Sequence, residues 1–167
     1  GKIDGLMAQM ARHYGVFYPM QTFSRQKRVS FEEIPCFIEG SGEEEEAAIE
    51  ALAAQLSHRV YRLSSEARKY LHLSAVFACN FVNHCYAISA ELLEKHGIPF
   101  DVMLPLIDET AAKVHQMAPK DAQTGPAVRY DENVIRTQSQ LLKNNPLVKD
   151  IYDRMSMNIH RLSEERN

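Results

Sequence analysis

Apolar positions recur in two different rhythms along this 167-residue chain, and the rhythm changes at Ser64. Before that point they come mostly in short runs. A helix-like segment over residues 3–13 leads to Gly15, "VFY" then runs into a turn at Pro19, "CFIEGS" begins at Cys36, and "RVYRL" ends at Leu63. Between the last two lies "EEEEAAIEALAAQL", a helical stretch. Two short apolar runs flanking a helix, the second of them β-branched and aromatic, predict a β-α-β unit. Glu43 to Glu46 fall at the start of that helix, where negative charge suits the backbone dipole. They read as a solvated helix end and not as an acidic binding site.

From Ser64 onward no strand signal appears. Ser64 or Ser65 can cap a helix that runs to residues 93–95, where Gly97 and then Pro99 supply the stop. Such a helix has about 30 residues against a mean near 12. Its length and all-round apolarity predict a central helix, buried on most sides. A second helical pattern covers residues 101–118, with Pro105 either kinking it or marking its first turn. Residues 119–132 read as a loop holding Gly125 and Pro126; Asp131 can cap a third helix over 132–143, and a fourth follows the "NNP" break over 147–162. The fold class is therefore mostly α, with a β-α-β segment ahead of an all-helical part.

Composition narrows the function classes. At 45% hydrophobic, 25% charged and a net charge of −3, the chain has the make-up of a soluble globular protein and no basic field to draw in a phosphate backbone, so nucleic acid is not an expected partner. Cys36, Cys79 and Cys85 form no CxxC pair and read as small buried hydrophobes in a reducing compartment. No apolar run approaches the roughly 20 residues of a membrane span, and the N-terminal residues lack the pattern of a secretory leader. The expectation is a cytoplasmic protein without a membrane partner.

The candidate chemistry lies on the long helix, in "HLSAVFACNFVNH", residues 72–84. Polar groups buried without partners cost roughly 1–3 kcal/mol each, so His72, Asn80, Asn83 and His84 need something to bond. Projected at about 100° per residue, Ser65, Lys69, His72, Val76, Asn80, Asn83 and Ala87 form one stripe, with His84 at its margin and Tyr70, Phe77, Phe81 and Ile88 elsewhere. Such a row suits a ligand, water or another domain. It equally suits hydrogen bonds to neighbouring helices, or the wet side of the helix. His72 and His84 stand about 120° apart around the helix, and no HExxH or paired Cys/His spacing occurs, so no metal site is expected. No GxSxG elbow anchors a hydrolase triad. Gly40-Ser41-Gly42 follows a strand, but the third glycine of a dinucleotide loop is replaced by Glu45, and four glutamates would repel a pyrophosphate. In "TGPAVR", residues 124–129, Gly125 permits an unusual backbone, Pro126 stiffens the residues after it and Arg129 offers a planar fork to an anion. Alone, that segment also fits an ordinary helix-connecting turn.

The strings "GVFYPMQTFS", "IPCFIEGS", "SSEARKYLHLSAVFACNFVNHCYAISAELLEKHGIPF", "LPLIDETAAKV" and "AQTGPAVRYD", in this order between Gly15 and Asp131, resemble a bacterial family. In it an N-terminal Rossmann domain precedes a helical domain of unknown function, numbered 2520. The chain is more distantly similar to pyrroline-5-carboxylate reductase, deazaflavin-dependent NADP reductases and the helical domain of 6-phosphogluconate dehydrogenase. The resemblance implies that residues 1–63 are the last β-α-β part of a Rossmann-like NAD(P)-binding domain and residues 64–167 an all-helical substrate and dimerisation domain. The glycine-rich NAD(P) loop would lie upstream, outside this chain. It further implies a homodimer through the helical domain, a small-molecule substrate between the domains, and a cleft with His72, Asn80 and Asn83 as catalytic candidates. Lys69, Thr110, Thr124, Gly125 and Arg129 are the substrate-binding candidates. His72 would move a proton near neutral pH, Asn80 or Asn83 would orient a carbonyl or carboxylate, and Arg129 would pair with an anion. The rival expectation is a non-catalytic helical module that dimerises or senses a metabolite, since function resides in sites and not in folds.

Overall fold

The computed structural model describes residues 10–23 and 28–165. The helix-like segment expected over 3–13 lies mostly outside these residues; of its described residues, 10–13, Met10 alone is helical. The chain divides into two compact units, Gly1–Val82 and Asn83–Asn167.

In the first unit, strands β1 (Gly15–Pro19), β2 (Cys36–Gly40) and β3 (Val60–Arg62) form one sheet in that order, with helix α1 (Glu43–Ala54) between β2 and β3. β2 and β3 are parallel, as a β-α-β unit requires, and β1 pairs antiparallel to β2. Directly opposed residues point to the same side of a sheet. One face therefore carries Gly15, Phe17, Cys36, Ile38, Gly40 and Arg62, and the other carries Val16, Tyr18, Phe37, Glu39 and Tyr61. Helix α1 covers the first face: Cys36, Ile38 and Ala53 are fully buried, and Arg62 reaches Glu46 at 2.9 Å and Glu50 at 3.1 Å on α1. Ser57 closes the α1–β3 connection from inside, donating to the Ile34 carbonyl at 2.6 Å and accepting from the Arg59 N–H at 3.0 Å.

Helix α2 (Ser65–Ala75) begins where the rhythm changes, with the Ser64 hydroxyl accepting from the Ala67 N–H. The helical run continues through a π turn (Val76–Phe81) into α3 (Val82–Glu94). It ends at Gly97, whose φ of +67° and the Ile98 N–H to Leu93 C=O bond close a Schellman motif. Two expectations fail along this run. A π turn takes in more residues than an α turn, so a stripe projected at a constant 100° per residue holds only from Ser65 to Val76. Nor is any residue of α2, the π turn or α3 buried within the chain, and Cys79 is exposed and Cys85 half-buried where small buried hydrophobes were expected. Burial requires neighbours, and an apolar composition does not itself supply them.

In the second unit a 3₁₀ turn (Phe100–Met103) precedes α4 (Leu104–Lys113), so Pro105 sits in a first turn and does not kink a helix. α4 stops five residues short of the expected end. Pro119 forces Ala118 into an extended conformation, φ −61° and ψ 142°, and the chain leaves the helix through tight turns before it. Then come one short turn, α5 (Pro119–Ala122), inside the expected loop, α6 (Glu132–Leu141), capped by Asp131, and α7 (Pro146–Glu164), capped by Asn145. Beyond Arg62 the described residues contain no strand, and none of their helices is long and apolar enough to cross a membrane.

Candidate functional site

The second face of the sheet meets α2, and the helix docks there through one stripe. Ser65, Arg68 and His72, spaced three and four apart, share a side of the helix. The Ser65 hydroxyl donates to Glu39 Oε2 at 2.6 Å, and Arg68 Nη1 donates to the same oxygen at 2.8 Å. One turn further on, the Tyr18 hydroxyl lies 3.2 Å from His72 Nδ1. Burial works against the Glu39 carboxylate, but the hydrogen bonds from Ser65 and Arg68 and the guanidinium charge together hold its pKa below the ordinary 4.5. A carboxyl whose folded pKa is depressed contributes stability that is fully present above the unfolded value and is lost as pH falls through the folded one. Thermal melts from pH 6 down to about pH 3 will therefore show the first unit losing stability more steeply than Glu39→Gln does. Equal slopes would remove Glu39 from the account.

His72 is exposed; apart from Tyr18, its ring has no hydrogen-bond partner among the described residues. Asn80, on the π turn, and Asn83, at the start of α3, are exposed with no side-chain hydrogen bond among the described residues. Lys69 is exposed and pairs with Glu66 one turn away, an arrangement worth little in water.

In the second unit, Thr124, Gly125 and Arg129 belong to one anchored loop. Gly125 has φ +109°, a region that side chains avoid, so glycine is required there on backbone grounds alone. The loop meets α7 at its far end: the Ser163 hydroxyl is shared between the His160 carbonyl at 2.6 Å and the Val128 carbonyl at 3.1 Å, and the Tyr130 ring, itself at φ +50°, stacks on His160 at 4.2 Å. Arg129 stays exposed, with no ion pair or hydrogen bond of its guanidinium among the described residues. Thr110 is not in this loop, and its hydroxyl donates to the Leu106 carbonyl at 2.7 Å within α4.

Sequence reasoning missed Tyr18, Glu39, Arg68 and the Tyr130–His160 stack. For Arg68 a signal existed, since the 65–68–72 spacing puts three polar side chains on one side of the helix; Tyr18 and Glu39 share a face only through the register of β1 on β2. Gly40-Ser41-Gly42 does not fit a dinucleotide phosphate: four carboxylates crowd the first turn of α1, and the Ser41 hydroxyl accepts the Tyr14 N–H at 3.1 Å. Among the described residues no three His, Cys, Asp or Glu side chains gather as a metal site.

The family described as "Domain of unknown function (DUF2520)" matches residues 34–159. The chain is similar to the crystal structure of "putative NADP oxidoreductase BF3122 from Bacteroides fragilis", with 57% identity and a TM-score of 0.89, covering 94% of this chain and 61% of that one. It shares its fold with protein TM1727 from Thermotoga maritima, with 22% identity and a TM-score of 0.74, over 92% of this chain and 63% of that one. No curated protein sequence matches it significantly. The chain thus spans a little over three fifths of the length of the two solved structures.

Proposed function

The chain belongs to the DUF2520 family, and from that premise we propose that it is the C-terminal part of an NADP-dependent oxidoreductase acting on a small metabolite. The observation that carries this reading is the 57% identity over 94% of the chain to the Bacteroides fragilis protein named "putative NADP oxidoreductase". Gly40-Ser41-Gly42 is not read as the dinucleotide phosphate site, since Glu43 to Glu46 beside it would repel a pyrophosphate. NADP would supply hydride chemistry, and the residues here would bind and orient the substrate.

In the first unit His72 offers an exposed ring nitrogen for a proton, and Asn80 an amide for a carbonyl or carboxylate. In the second unit Asn83 offers the same amide chemistry, Arg129 an exposed fork for an anion, and Thr124 and Gly125 a backbone held in place by the loop. Lys69 and Thr110 are weaker candidates, because each is already engaged within its own helix. The helical segment would also supply a homodimer contact, for which its exposed apolar side chains are the support.

A thermal-shift measurement on the full-length protein tests the cofactor. NADPH at 100 times its Kd is expected to add about 2.7 kcal/mol of stability. If neither NADPH nor NADH raised the melting temperature, the oxidoreductase reading would give way to a non-catalytic helical module. His72→Ala and Asn83→Ala are expected to weaken substrate binding or turnover while leaving NADPH binding intact.

A further inference from the structure

The sheet and helix α2 hold one more functional group that the sequence did not single out. Tyr18 lies on β1, which five residue pairs lock in register against β2, and its side chain leaves the sheet on the face that also carries Glu39. His72 lies on a helix fixed to that face independently, by Ser65 and Arg68 on the Glu39 carboxylate. The 3.2 Å contact between the Tyr18 hydroxyl and His72 Nδ1 therefore joins two parts that are already in place. The helix does not depend on it for docking, but the orientation of the imidazole does.

We propose that Tyr18 is the positioning residue of His72, holding the ring by Nδ1 so that Nε2 is the atom presented to a ligand. The hydrogen bond made by one ring nitrogen sets the protonation of the other. In this arrangement the Tyr18 hydroxyl donates to Nδ1 of the neutral ring, and the imidazole then carries its hydrogen on Nε2. When the ring is protonated, Nδ1–H donates to the same oxygen. A hydroxyl can donate to Nδ1 of the neutral ring and accept from Nδ1–H of the protonated one, so the ring keeps its place in both states and Nε2 carries a hydrogen in each. The ligand group matched to Nε2–H is a hydrogen-bond acceptor, the carbonyl or carboxylate oxygen of a small metabolite.

This inference rests on the reading of His72 as a substrate residue, and the two can fail separately. Long-range proton–nitrogen NMR spectra of the full-length protein, recorded at alkaline pH with the ring neutral, are expected to show Nε2 protonated and Nδ1 as acceptor. In Tyr18→Phe the two nitrogen resonances are expected to move toward each other as the ring samples both tautomers. A wild-type ring protonated on Nδ1, or His72 resonances identical in wild type and Tyr18→Phe, would overturn the positioning role. The wild-type spectrum decides the point even if the variant folds poorly. By contrast, unchanged substrate binding and turnover in His72→Ala would remove His72 from the substrate site while leaving its tautomer as measured.

Discussion

Gly40→Ala is expected to destabilise the first unit by roughly 3 kcal/mol, near the upper end of what overpacking costs. A Cβ at residue 40 would stand 2.3 Å from the Glu46 backbone nitrogen and 2.7 Å from its Cα. Both atoms belong to the first turn of α1, where the Glu46 N–H bonds the Gly42 carbonyl at 3.0 Å. No side-chain rotation relieves that overlap, so the helix must shift away from the sheet face where Cys36, Ile38 and Ala53 are fully buried. For a unit of this size each kcal/mol moves the melting temperature by about 4–8 °C, so a drop on the order of 10–20 °C is expected by calorimetry. Gly42→Ser is the matched control. Its Cβ would meet only the flexible Glu45 carboxylate, and serine is a good N-cap, so that variant should melt within a few degrees of wild type. Equal melting of Gly40→Ala and wild type would mean that α1 does not approach the sheet as closely as described.

The contrast between these two glycines shows which features the sequence carries and which it does not. Local chemistry was legible. A serine cap at Ser64 or Ser65, which the structure places at Ser64, the Asp131 cap, the Gly97 stop and the β-α-β segment each depend on a few neighbouring residues, and each appears where the pattern puts it. The π turn was not legible, because a constant period was assumed along the long helix and nothing in Val76 to Phe81 marks the change of hydrogen bonding. The early end of α4 was legible in kind, from Pro119, but not in extent. Burial is not legible in composition, because an all-round apolar helix need not be a covered one. For the candidate site, the residue types in the stripe were readable from the chain, while the rotation of α2 that sets His72 against Tyr18 and Arg68 against Glu39 is a tertiary fact. Lys69 entered the stripe and Arg68 did not, although the two are adjacent and it is Arg68 that faces the sheet.

The uncovered helix leads to the second large effect. Tyr70, Leu73, Phe77 and Phe81 run along one side of α2 and the π turn, 72%, 51%, 62% and 49% exposed, with Phe77 and Phe81 in edge contact at 5.0 Å. Four large apolar side chains in a row are more than isolated surface hydrophobes, and such patches mark association sites. At 100° per residue Tyr70 lies about 160° and Leu73 about 100° around the helix from His72, so a second copy could cover this stripe without taking the side of α2 that faces Tyr18. Full burial of each such side chain is worth about 1.5–3 kcal/mol, and part of the sum is offset by the entropy of association. On the proposed homodimer reading, light scattering of the full-length protein at micromolar concentration is expected to return about twice the monomer mass. Leu73→Glu combined with Phe77→Glu places two charges in the contact on each copy, and burying unpaired charge costs several kcal/mol. A change of that size raises the dimer dissociation constant by at least a hundredfold, since each 1.4 kcal/mol is a factor of ten, and the double variant should scatter as a monomer. A wild-type protein that is already monomeric, or a double variant that still dimerises, would assign this stripe to a different occupant.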